Sequence, residues 1–157
     1  DNATQVSMFD AEVIHTGKPV IHPKRVWLNA QGFVWVHHLS KIPIIGANNA
    51  ITAILGLGED LTHSLRLEEL YSYYNYFYKN KRIAMMKFLE HVGIHNEFYE
   101  PPSNAEAKIL SAKARLHYNK LVALHSGLQL STIQSYINHL GKKAKSLDIV
   151  LKILRSW

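Results

Sequence analysis

Three runs of β-branched and aromatic residues, Val20 to Leu28, Phe33 to Ile45 and Ala50 to Leu57, are separated by two four-residue turn compositions. The turns are Asn29-Ala30-Gln31-Gly32 and Gly46-Ala47-Asn48-Asn49. Asn and Gly reach positive φ at little cost, which suits them to tight reversals between strands. The segment therefore predicts an antiparallel three-stranded meander. Within Phe33-Val34-Trp35-Val36-His37-His38, successive side chains are expected on opposite faces of the sheet. Gly56-Leu57-Gly58 falls inside the strand pattern and is expected to mark a bulge or a close contact.

The rest of the chain follows the helical period. Residues about 3–16 place Val6, Phe9, Val13 and Ile14 at roughly helical spacing and end in Thr16-Gly17-Lys18-Pro19, a stop signal. From Thr62 on, Leu65, Leu67, Leu70, Tyr73, Tyr74 and Phe77 make a broad apolar stripe, with Glu68 and Glu69 opposite. Asn80-Lys81 breaks the pattern. A second run from Ile83 to Val92 stops at Gly93 in a C′ position. After the breaker Pro101-Pro102-Ser103-Asn104 come four short helical segments: Ala105–Leu116, Asn119–His125, Ser131–Leu140 and Leu147–Leu154. The expected fold is α+β: an N-terminal antiparallel three-stranded sheet with helices, a linker helix, and a C-terminal all-α four-helix module.

Charge divides the chain at the same place. Ser103 to Trp157 carries nine Lys and Arg against two acids, a net +7, whereas the first 102 residues are near neutral at −1. A basic module attached to a near-neutral one is the electrostatic footprint of a nucleic-acid binder. The competing reading is a well-solvated basic helical tail. With 157 residues and 47% hydrophobic content the chain suits one domain or two very small ones. No apolar run approaches the roughly 18 residues that a membrane span needs, so no membrane partner is expected. The start, Asp1-Asn2-Ala3-Thr4-Gln5, is polar and without a basic region, so no secretory signal is expected there. Lacking an initial Met, the sequence is expected to be a fragment or a processed form. Absence of cysteine excludes a disulfide scaffold, a Cys-ligated metal and a thiol nucleophile, and fits a cytoplasmic setting.

Residues 11–69 resemble the C-terminal half of a PAS sensory domain. The likeness rests on Glu12 to Pro19, Gly32 to Val36, Lys41-Ile42-Pro43 and above all Ile54 to Thr62. In that family the last strand ends in an Asp-aliphatic-Thr motif, matched here by Asp60-Leu61-Thr62, before an amphipathic helix, matched by Leu65 to Leu70. Asp60 is expected to bond main chain at the strand exit, and Thr62 to cap the outgoing helix. Two N-terminal strands and several short helices of a whole PAS domain have no counterpart, so no cofactor is assigned.

Residues 103–154 resemble the LuxR/GerE-type helix-turn-helix domain without a gap. Ser103-Asn104-Ala105-Glu106 stands where the family has Thr-x-x-Glu, a capping box in physical terms. Ile109 and Leu110 match the aliphatic pair, and Lys120-Leu121-Val122-Ala123 stands where the scaffold helix has Lys-Glu-Ile-Ala. Leu128 matches the turn, and Thr132-Ile133, Ile137 and Lys143 match the recognition helix. Departures fall at Ala105, Leu116, Leu121 and Lys145, where the family has Arg, Gly, Glu and Gly.

The residues alone support the same chemistry. Ile133, Ile137 and Leu140 are spaced to bury one helix face against Val122, Ala123 and Leu128, with small Ala123 and the Gly127 turn allowing close crossing. The opposite face then shows Thr132, Gln134, Ser135, Asn138 and Lys142. Gln and Asn pair with adenine edges, and Lys with guanine or phosphate. Ser131 and Thr132 at the helix start, with Lys120, Lys143 and Lys145, are the phosphate candidates.

Ten histidines invite a metal or catalytic reading, but the pattern is wrong for one. His37 and His38 are expected on opposite faces, and Gly93 interrupts His91 and His95. No nucleophile elbow, P-loop or Rossmann glycine pattern occurs, so no enzyme is expected. The sequence is thus read as a cytoplasmic transcriptional regulator. Residues 1–61 form a partial PAS-like part, 62–102 a helical linker or dimerisation segment, and 103–157 the DNA-binding module. Double-stranded DNA and a second copy of the chain are the expected partners. The alternatives are a protein-interaction module with a basic docking arm, and a fragment of a larger PAS-containing signalling enzyme.

Overall fold

The computed structural model describes residues 2–157, with side chains from residue 3 onward; Asp1 of the polar start lies outside the described residues. The fold is α+β, with three strands and, among the described residues, seven α-helices. The chain divides into a unit ending at Ser64 and a second unit, Leu65–Trp157.

The first unit begins with helix α1 (Asn2–Thr16), closed by Gly17 at φ 65°. Strands β1 (Val20–Leu28), β2 (Val34–Ile45) and β3 (Ile51–Asp60) follow in the spatial order β1-β2-β3, both pairs antiparallel. Their turns work as the composition implies. The Asn29 side chain accepts from the Gln31 and Phe33 amides, while Gly32 takes φ 77°. Between β2 and β3, Asn48 and Asn49 both hold φ 61°. The register shifts once in the β1–β2 ladder, where β1 carries an extra residue between His22 and Arg25, and once in the β2–β3 ladder opposite Ile44 and Ile45, where Thr52 of β3 is the extra residue. No shift falls at Gly56-Leu57-Gly58, where the ladder is regular. A Cβ on Gly56 would lie 3.6 Å from the Lys41 ammonium, an ordinary contact distance, and one on Gly58 would meet open space, so neither the expected bulge nor the expected close contact falls at these glycines.

Helix α1 lies over the face that carries His22, Arg25 and Lys41. Phe9 stacks on His22 at 3.6 Å, Arg25 lies over the Phe9 ring, and Asp10 pairs with Lys41 at 2.8 Å. His37 sits on this face among Trp27 and Trp35, whereas His38 bonds Ser40 on the other. Val13, Val20, Val34 and Val36 are buried.

The Asp60-Leu61-Thr62 exit departs from expectation in one respect. Asp60 accepts from the Thr62 amide at 2.8 Å, as a turn residue should. Thr62 caps no helix: its hydroxyl accepts from the Val36 amide at 3.0 Å inside the fold, and Thr62 is 2% exposed. A short 3₁₀ turn intervenes, and the next α-helix starts later, after Arg66. An acceptor for an otherwise orphaned strand amide outweighs a solvent-facing cap, because an unmade buried bond costs about 1–3 kcal/mol.

The second unit consists of α2 (Leu67–Phe77), α3 (Lys81–His91), α4 (Asn104–Leu116), α5 (Asn119–Ser126), α6 (Leu130–Lys143) and α7 (Leu147–Ser156). The apolar stripe of α2 packs on α3, with Tyr71 and Tyr74 against Phe88 and the Tyr74 hydroxyl 2.6 Å from His91 Nδ1. Asn80 caps α3 through the Arg82 and Ile83 amides. Ser103 and Glu106 form the complete reciprocal capping box of α4. Among the described residues no helix is long and apolar enough to cross a membrane.

Candidate nucleic-acid interface

Helices α4, α5 and α6 share one small core made by Ile109, Ala112, Val122, Ala123 and Ile133. Leu116, Leu130, Tyr136 and Ile137 close it, and Leu140 is fully buried. Small side chains at 112 and 123 let the helices approach closely. Gly127 ends α5 at φ 66°, ψ 20°, a left-handed cap that turns the chain into α6 within three residues. Leu128 in this turn does not join the core and stays 40% exposed.

Burying Ile133 and Leu140 fixes the rotation of α6. At 100° per residue, Ser131, Gln134, Ser135, Asn138 and Lys142 then fall on the opposite face, and all five are exposed. Thr132 lies at the border of that face, half-buried. His139, also exposed, borders that face and belongs to no motif in the sequence. Only its place in the exposed register could have marked it. Gln129 precedes α6 without giving a side-chain cap to its first-turn amides.

The lysines divide into two groups. Lys120, Lys142 and Lys145 are exposed and make no ion pair among the described residues. Lys143 is committed elsewhere: its ammonium lies 2.9 Å from Glu106 and 3.1 Å from Glu100. Glu106 is 4% exposed and also accepts from the Ser103 amide at 2.7 Å. Burial alone would push the Glu106 carboxyl up. The Ser103 amide, Lys143 and the Ser103 hydroxyl together outweigh that and hold it below the usual carboxylate range. The same bond to Glu106, with help from Glu100, raises Lys143. Two main-chain bonds run beside this ion pair, from the Tyr99 amide to the Lys143 carbonyl and from the Lys145 amide to the Glu97 carbonyl, both 2.8 Å. The end of α6 is thereby stapled to the segment ahead of α4, and a spacing of 37 residues between Glu106 and Lys143 hid this from sequence.

Other cations are also engaged. Arg115 pairs with Glu68 at 3.4 Å and lies 3.0 Å from His125, and Arg155 donates to the Ala114 carbonyl. Helix α5 carries an exposed apolar edge, Leu121 at 46% and Leu124 at 81%, continued by Tyr118 at 73% just ahead of it. Among the described residues no group of three or more His, Asp or Glu is placed to hold a metal ion.

No family model matches the chain. No curated protein matches it either. Solved structures do. A Vibrio cholera VqmA–ligand–DNA complex is 19% identical, with a TM-score of 0.38, over 98% of this chain and 61% of that one. A Vibrio cholerae VqmA dimer without target DNA, described as a LuxR-type receptor, is 20% identical, with a TM-score of 0.34, over 96% of this chain and 60% of that one. A phage VqmA–DPO complex is 17% identical, with a TM-score of 0.37, over 98% and 60%. The chain spans about three fifths of the length of each of these structures.

Proposed function

We propose that the chain is a sequence-specific DNA-binding transcriptional regulator of the LuxR type, acting in the cytoplasm as a homodimer. The observation that carries this reading is the α6 face. A stripe of Ser131, Gln134, Ser135, Asn138 and Lys142 is held in fixed rotation by the core it shares with α4 and α5. In this reading α6 enters the major groove, with Gln134 and Asn138 meeting base edges. Ser131, Thr132 and the uncapped first-turn amides meet a phosphate, and Lys120, Lys142 and Lys145 fix register on the backbone. Lys143 holds the helix and does not read DNA. One such module makes few contacts, and pairing two of them on adjacent half-sites supplies a specific site. Residues 1–61 are the PAS-like input, and 62–102 connect it to the module.

The test is fluorescence anisotropy of the full chain with a pool of promoter-length duplexes, titrated with salt. Binding is expected to weaken with a log–log salt slope steeper than about −2, with Lys142→Ala removing about one unit per protomer. A folded protein that binds no duplex, or one whose binding ignores Lys142 and Gln134, would overturn the reading. The exposed edge of Tyr118, Leu121 and Leu124 would then favour the protein-interaction alternative.

A further inference from the structure

The second unit contains a cleft of about 780 Å³ that the DNA reading leaves unused. One wall is a helical stripe of α2 at i, i+3, i+4, i+7 and i+8, formed by Glu68, Tyr71, Ser72, Asn75 and Tyr76. The facing wall is a stripe of α4: Asn104, Ala105, Lys108, Ile109 and Ala112. Lys81 of α3, His125 and Ser126 at the end of α5, Leu128 from the α5–α6 turn and Tyr136 from α6 complete it. By helical spacing Tyr136 enters from the side of α6 away from the Gln134–Asn138 face.

The lining has a definite chemistry. Its accessible aromatic surface is tyrosine, from Tyr76 and half-buried Tyr136, with exposed Leu128 beside them. Its floor is the buried Tyr71, Ile109 and Ala112, where the Tyr71 hydroxyl donates to Asn104 and ties the two walls together. Lys81 and Lys108 add two cations. Lys81 donates to the Asn75 carbonyl, a neutral partner, so its charge has no carboxylate against it there. Lys108 is exposed and forms no ion pair among the described residues. The one carboxylate in the lining, Glu68, is taken by Arg115 at 3.4 Å. The cleft thus joins flat apolar walls to uncompensated positive charge, inside a basic module whose field already favours anions. Its volume lies within the roughly 300–1,000 Å³ of small-molecule sites, where apolar lining with few convergent polar groups is the rule.

We propose that this cleft is a binding site for a small aromatic carboxylate, the ring seated between the tyrosines and the carboxylate held by Lys108, with Lys81 as the second cation. Tyr76, 80% exposed and edge-on to Phe77, forms the outer wall against the ring. The site stands independently of DNA binding, although a ligand there would touch both α2 and the helix-turn-helix.

The test uses the full chain labelled for NMR, with 2-naphthoate as the probe and 2-naphthamide as its uncharged counterpart. Saturable shifts are expected at 71–76, 105–112, 128 and 136, and the amide is expected to bind about tenfold more weakly. Lys108→Gln, an exposed substitution, should produce a similar loss for naphthoate and none for the amide. Ala105→Phe, also at an exposed position, should block both probes by filling the mouth. Equal binding of acid and amide, shifts centred elsewhere, or no saturation would each overturn the proposal. So would binding of naphthoate that Lys108→Gln leaves unchanged. None of these outcomes bears on the DNA titration, which is read separately.

Discussion

Replacing Lys143 with Met tests whether this lysine holds the fold or contacts phosphate. Its ammonium stands 2.9 Å from a carboxylate that is 4% exposed. The bond to Glu100 adds little, because that side chain is 70% exposed and screened by water. Removing Lys143 leaves Glu106 charged and buried, with the Ser103 amide still donating to its carboxylate and the Glu106 amide still donating to the Ser103 hydroxyl. Breaking a buried pair on one side typically costs 3–5 kcal/mol, and the surviving Ser103 bonds bring the expected loss to about 2–4 kcal/mol. Glu106→Gln in the same background removes the stranded charge while keeping an acceptor for the Ser103 amide, so the double variant should recover more than about 1 kcal/mol.

The pH dependence follows from the two shifts. Glu106 is depressed below its ordinary 4.5, so its contribution is complete above that value and is lost as pH falls through the folded pKa. Lys143 is raised above its ordinary 10.5, so its contribution is complete below that value and is lost as pH rises through the folded pKa. Between those limits the pair stabilises uniformly. Urea unfolding followed by far-UV circular dichroism, at pH values across and below this window, measures it. A Lys143→Met loss under about 0.5 kcal/mol, or a wild-type minus variant difference that does not shrink in acid, would refute the argument.

Further predictions test the other elements. Gln134→Ala and Asn138→Ala should each cost about 1–3 kcal/mol on a selected site and leave the salt slope unchanged; competition with scrambled duplexes checks this, and uniform weakening on all sequences would contradict base reading. Thr62→Val should cost about 1–3 kcal/mol by stranding the Val36 amide, and hydrogen exchange at Val36 should accelerate in step. Ile133→Ala, in the shared core of α4 to α6, should cost about 2–5 kcal/mol; thermal unfolding unaffected by it would mean that α6 is not held as described. Gly127→Ala should cost about 1 kcal/mol because φ is 66° there, and a gain in stability would rule out the left-handed turn.

Much of this architecture is readable from local pattern, because most of its elements are set by local chemistry. The meander follows from Asn29–Gly32 and Gly46–Asn49, whose positive-φ residues lie in the turns. The capping box at Ser103 and Glu106 is a motif four residues long. The rotation of α6 follows from the spacing of Ile133 and Leu140. What the pattern conceals depends on distant partners. Thr62 reads as a helix cap until the amide of Val36, 26 positions earlier, is seen to need an acceptor. Lys143 reads as a phosphate ligand until the chain returns Glu106 to it. The tyrosine-walled cleft joins Tyr76 to Tyr136, residues whose proximity no local period encodes. Tyr71, buried at 2% and central to α2 packing, escaped the expected stripe because its neighbours Tyr73 and Tyr74 fit the period as well.

The two outer strands of the meander differ in how they meet solvent. β1 carries Pro23 at its register shift, so its outer side lacks one donor and is kinked between His22 and Arg25. Such an edge is a poor template for another strand. β3 has no proline, its one irregularity is Thr52 near its start, and from Ala53 to Asp60 it pairs in register with most of its length exposed. A strand that extends this sheet meets its longest regular edge beside β3, from Ala53 to Asp60. Glu59 and Asp60 at the far end of β3 bias growth on that side against acidic strands.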